Sequence, residues 1–91
     1  MGGKIMTLTF KHKNKTYTSN PFDWKAMCLV NEGHNDPDKK GIFMMCDEAV
    51  AYMFEGTDGA AVIDSIEPGV RGKLCVELWD EYIRELNAKN E

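Results

Sequence analysis

No run of apolar residues in this sequence comes near the ~18–20 that a membrane-spanning helix needs, which excludes a span. The opening residues lack a basic segment followed by an apolar stretch, so no secretory signal is expected. Met6 stands where myristoylation of Gly2 would need Ser or Thr. Cysteine is sparse: Cys28, Cys46 and Cys75 are odd in number, widely spaced and without a C-x-x-C pair. That makes a disulfide framework unexpected and fits a reducing cytoplasm. Acids are missing from the first twenty residues, which hold Lys4, Lys11, Lys13 and Lys15, whereas the remaining 71 residues carry 7 bases and 15 acids. So acidic a body argues against nucleic acid as the main partner. Also missing are G-x-S-x-G, the Walker loop, H-E-x-x-H and a glycine-rich dinucleotide turn, so no catalytic or cofactor-binding residue is assigned.

What the 91 residues do contain, 43% hydrophobic and 29% charged, is the composition of one globular domain spanning 1–91. Residues 1–4 read as a flexible leader. The stretch "KIMTLTFKHKNKTYTSN" alternates, with Ile5, Thr7, Thr9 and Lys11 on one side and Met6, Leu8 and Phe10 on the other. That is the period of a half-buried strand, and the turn character at Asn14 makes 5–19 a hairpin with strands near 4–11 and 15–19. Two strands alone are marginal, so the hairpin must rest on helices or on another chain.

The region 21–89 reads as helical. Pro21 suits a first helical position, Ser19 or Asn20 a cap, and Gly33 a stop. Phe22 or Trp24 with Met27, Cys28 and Val30 would form the buried face of this first helix. From Ile42 to Glu55, Ile42, Met45, Cys46, Ala49, Val50 and Met53 share one side at ~100° per residue. Phe43, Phe54 and Tyr52 widen the apolar arc to roughly 200°, beyond the ~100° stripe of an ordinary surface helix. Met44 points among the acids Asp47, Glu48 and Glu55. A short third helix is expected in "GTDGAAVIDSIEPG", capped by Thr57 or Asp58 with Val62, Ile63 and Ile66 inward. In a last helix, about 69–88, Cys75, Leu78, Trp79, Tyr82, Ile83 and Leu86 line one face and Lys73, Glu77, Asp80, Glu81 and Arg84 the other, with Glu85 and Lys89 spaced for an i,i+4 pair. The expectation is therefore an α+β fold, predominantly helical, with an N-terminal β-hairpin packed against about four helices.

Candidate chemistry is thin. His12 or His34 with the cysteines lacks the close ligand pairs of a zinc site, and each cysteine falls on an apolar helix face. "DPDKKGIFMMCD" places Asp36, Asp38 and Gly41 at EF-hand positions, but Lys40 occupies a ligand position and Asp47 replaces the bidentate Glu. "KHKNK" could touch phosphate, yet lysines also blunt exposed strand edges. No metal is assigned. A nucleophile pair of Cys28 and His34 would need both on one helix face, and His34 is expected beyond the helix end. What remains is surface: six Met, four Phe, three Tyr and two Trp are generous for this length, and Met-rich surfaces adapt to varied apolar partners. Phe43, Met44, Tyr52 and Phe54 are the candidate partner-binding residues. Trp24, Trp79 and Tyr82 are expected in the core.

Taken in order, "LTFKHKNKTYTSN", "PFDWKAMCLVNEG", "AVAYMFEGT", "AAVIDSI" and "EPGVRGKL" followed by an aromatic amphipathic helix resemble the small tail assembly chaperones of long-tailed phages and prophages. The resemblance spans residues 5–90 and rests on order and spacing. It implies a mostly helical, non-enzymatic protein that coats the long apolar tape-measure protein before the tail tube forms around it, and that self-associates as a possible homo-oligomer. The runner-up is a general protein–protein interaction domain of prophage origin. A third expectation, from another class, is a small enzyme or metal protein using Cys28 and His34.

Overall fold

The computed structural model describes residues 5–88. The expected leader, 1–4, and Lys89 of the expected i,i+4 pair lie outside the described residues. Strands β1 (Thr9–His12) and β2 (Lys15–Thr18) form an antiparallel pair with Phe10 opposite Tyr17. Lys13 and Asn14 join them at φ 52° and 66°. Two positive φ values in a two-residue loop match the right-handed twist of the flanking strands, and Asn tolerates this conformation well. The alternation falls as read: Leu8 and Phe10 are buried, while Ile5, Thr7, Thr9 and Lys11 are exposed. The regular ladder is shorter than expected. Leu8 and Ser19 still pair, through Ser19 N–H to the Leu8 carbonyl and Leu8 N–H to the Ser19 hydroxyl, both 2.8 Å. Pro21 has no N–H to continue the series, and Asn20 N–H turns instead to the Met53 carbonyl at 2.8 Å.

Helix α1 (Trp24–Asn35) starts later than the proline suggested. Ser19 and Asn20 are committed elsewhere, Asn20 through its amide to the Glu55 carbonyl at 2.7 Å. Asp23 is the cap, accepting from Ala26 N–H at 2.9 Å. Gly33 does not stop the helix, which runs on to Asn35 and so includes His34. Pro37 ends it by disfavouring helical backbone at Asp36, which sits at φ −84°, ψ 115°. Gly33 serves a different purpose. A Cβ there would lie 2.1 Å from the Met45 carbonyl oxygen, so glycine permits the close approach of α1 to α2 (Gly41–Phe54). The buried stripe of α1 is Ala26, Val30 and Gly33, at i, i+4 and i+7.

Helix α2 is central. Cys46, Ala49, Val50, Met53 and Phe54 are buried, and Ile42 and Met45 half-buried, along the expected side. Its C-terminal end receives the hairpin: the Phe10 ring stacks on Tyr17 and meets Phe54 edge-on, each at 5.2 Å. The expected third α-helix is a single 3₁₀ turn, Asp58–Ala61, with Thr57 as its cap. A helix so short is costly to nucleate, and Val62 and Ser65 close i→i+3 bonds to Gly59 and Val62. Gly59 is pinned against the Phe54 ring, while Ile63 and Ile66 reach the core. Among the described residues the fold is thus α+β with three α-helices and one 3₁₀ turn, not about four helices.

Helix α3 (Pro68–Ala88) opens with proline at its first position, as the sequence indicates. Leu74, Cys75, Leu78 and Tyr82 are buried, Trp79 is half-buried, and Ile83 and Leu86 are exposed. Arg71 ties three segments together through Asp47 at 2.8 Å, Asp64 at 3.2 Å and the Ile63 carbonyl at 2.9 Å. Among the described residues, no helix is long and apolar enough to cross a membrane.

Candidate partner-binding surface

Burial of Ala26, Val30 and Gly33 against α2 fixes the rotation of α1. Trp24 and Asn31 then point about 140–160° away from that stripe, with Met27 and Cys28 flanking them. This second face of α1 looks toward the last turns of α3. Together they line an open groove of about 710 Å³ whose apolar walls are Phe22, Trp24, Met27, Cys28 and Leu86. Tyr82 and Asn31 close its floor with a 2.8 Å hydrogen bond from the phenol to the amide oxygen. Trp24, at 78% exposure, is the most exposed large hydrophobic side chain among the described residues.

The groove is acidic. Asp23, Glu32 and Glu85 line it, and among the described residues no Lys or Arg does. Asp23 accepts from the Tyr52 hydroxyl at 2.7 Å as well as from Ala26 N–H. These two bonds hold its carboxyl below the usual carboxylate range, and the same Tyr52 bond raises the phenol. Glu81, one of the buried residues of α3, pairs with Arg84. Burial and a hydrogen bond with Glu85 push its carboxyl up, against the opposing pull of Arg84.

Of the four residues singled out from sequence, Phe43 and Met44 are exposed, at 60% and 53%. They form a smaller patch at the start of α2 with Lys39, Asp47 and Glu48, and the Phe43 ring lies against Gly72. Tyr52 is half-buried and bound to Asp23, beside the groove rather than beside Phe43. Phe54 is a correction: it is fully buried, because the hairpin and Gly59 close over its ring, and it offers no surface. Trp24 is a correction in the opposite sense, since it stands outside the core where burial was expected. The sequence reading followed bulk. The spacing of Ala26, Val30 and Gly33 was the signal that could have placed Trp24, Met27 and Cys28 on the other face.

The cysteines divide in the same way. Burial pushes the Cys46 thiol up to about 12 and the Cys75 thiol to about 11. Cys28 is half-buried in the groove. His34, six positions further along α1 and about 240° around it, lies against the Trp79 ring at 5.3 Å, the two planes tilted by 52°. The structure does not bring Cys28 and His34 together. Among the described residues, no three His, Cys, Asp or Glu side chains gather in a way that could hold a metal ion. The chain matches no protein-family model, no curated protein and no solved structure.

Proposed function

We propose that this chain is a non-enzymatic binding protein that takes up an apolar helical segment of a partner in the groove between α1 and α3. We further propose that the partner is the tape-measure protein of a long-tailed phage or prophage, with the chain acting as its assembly chaperone. The observation that carries the binding role is the groove itself. An exposed tryptophan, a methionine and a leucine converge on one concave face, where burial of large aromatic side chains contributes most to association. The tape-measure assignment is supported by the sequence resemblance, whose order of hairpin, first helix, apolar second helix and aromatic last helix is the order of elements along this chain. A long helical protein with an apolar stripe needs such cover until the tube encloses it. An acidic coat adds charge to each covered segment and opposes aggregation.

The test is co-expression with the tape-measure protein encoded beside this chain. On this reading the long protein becomes soluble and co-purifies with the small one. If the long protein stays insoluble while the small one purifies alone, the chaperone role is refuted for that pair. A general interaction domain would then be the better description.

A further inference from the structure

Resting on the reading that the α1–α3 groove is the binding face, we infer that its occupant is a basic amphipathic helix, with an apolar edge flanked by Lys or Arg. Two features of the groove converge on this. Its walls are apolar, and among the described residues its charged lining is carboxylate, with Asp23 at the cap of α1, Glu32 on α1 and Glu85 across from them on α3. Asp23 and Glu32 stand about 13 Å apart along α1, two and a half turns of helix. A helix laid along the groove presents anchors at i, i+3, i+4 and i+7 to Trp24, Met27 and Leu86. Its flanking cations then reach the carboxylates on both rims. About 710 Å³ admits a few large side chains, not a whole helix, so the occupant rests on the rims and inserts only its anchors.

Among the described residues, two cations of the groove-forming helices are already engaged: Arg84 with Glu81, and Lys25 over the Tyr52 ring at 5.3 Å. The chain's own basic turn, Lys11 to Lys15, is the other cationic candidate, supplied by a second copy. It carries the charge but no large apolar side chain between His12 and Lys15, so it would leave the apolar walls uncovered.

Cys28 makes the groove measurable. It lies in the groove, whereas Cys46 and Cys75 are buried with raised thiols, so a thiol reagent modifies Cys28 first. The experiment follows the rate of Cys28 modification in the whole protein as amphipathic peptides of about 15 residues are added, long enough to form a helix. One peptide flanks a Leu/Met edge with Lys, a second with Gln and a third with Glu. The expected result is protection by the Lys peptide at concentrations at least about tenfold lower than the Gln peptide needs, with the Glu peptide weakest. The advantage should shrink at about 0.5 M salt, where exposed charges are screened. The double variant E32Q/E85Q should lower the affinity for the Lys peptide about five- to tenfold, the worth of two exposed ion pairs, and leave the Gln peptide unchanged. Equal protection by Lys and Gln peptides overturns the charge inference while the groove stands as a binding face. Protection by none of the three overturns the inference, and the co-expression result judges the binding role separately. Protection by added copies of the protein alone, with concentration-dependent dimerisation, replaces the helix with the basic turn of a second copy.

Discussion

Replacing Gly33 with alanine sets two effects of opposite sign against each other. Gly33 lies within α1, and a helix-interior Gly→Ala change taken alone stabilises by about 1 kcal/mol. The added Cβ, however, would lie 2.1 Å from the Met45 carbonyl oxygen and 2.9 Å from its carbon. These are backbone atoms of α2, so no side-chain rotation relieves the clash, and the helices must part by roughly 1 Å. Such overpacking costs ~1–3 kcal/mol. Parting also loosens the dispersion contacts of Ala26 and Val30, both fully buried. The clash wins, and the net expectation is a loss of about 2 kcal/mol. With a urea dependence of ~1–3 kcal/mol per molar, the unfolding midpoint falls by about 1 M. Gly69→Ala is the control, because nothing lies within 4 Å of a Cβ there and only the propensity gain remains. A Gly33→Ala protein as stable as wild type, or more so, would refute the close crossing of α1 and α2 and with it the rotation of α1 that opens the groove.

Phe54→Ala should cost about 3–5 kcal/mol in urea unfolding, because the ring is fully buried beneath Phe10 and beside Gly59. Asp23→Ala should cost about 1 kcal/mol through loss of the α1 cap. Since the Asp23 carboxyl is held below its ordinary 3.8, that contribution is present above pH 3.8 and fades as pH falls through the lowered value, so the variant and wild type converge in acid unfolding. Glu81 behaves in the opposite sense. Its carboxyl titrates above the ordinary 4.5 in the folded protein, so the folded state holds the proton more tightly and stability declines as pH rises from 4.5 through the raised value. Glu81→Gln should flatten that decline, read as unfolding midpoints measured across the same pH range.

The chain gave up its hairpin through period-2 alternation, and the inward side of α2 through Cys46, Ala49, Val50 and Met53 at helical spacing. Pro68 marked the start of α3. The first helix misled for a physical reason. Large apolar residues look like core, but Trp24, Met27 and Cys28 lie opposite a stripe of small residues whose value is close approach rather than bulk. Phe54 misled conversely, because its burial depends on Phe10 of the hairpin, 44 positions earlier in the chain, a contact no local pattern records. The third helix failed because a cap and three apolar residues do not offset the nucleation of so short a segment. A groove made by α1 and α3 joins residues some sixty positions apart, so only the packing of the two helices on α2 could reveal it.

The most direct test of the central claim is calorimetric titration of an amphipathic helical segment of the proposed partner, the tape-measure protein, into wild type, Trp24→Ala and the double variant F43A/M44A. Trp24 is exposed, so its loss should leave stability within about 0.5 kcal/mol and the comparison reads binding alone. The account predicts tight binding by wild type, at least about a tenfold loss for Trp24→Ala, as for a central aromatic anchor, and little change for F43A/M44A. Full affinity in Trp24→Ala with a loss confined to F43A/M44A would contradict it and move the binding face to the start of α2.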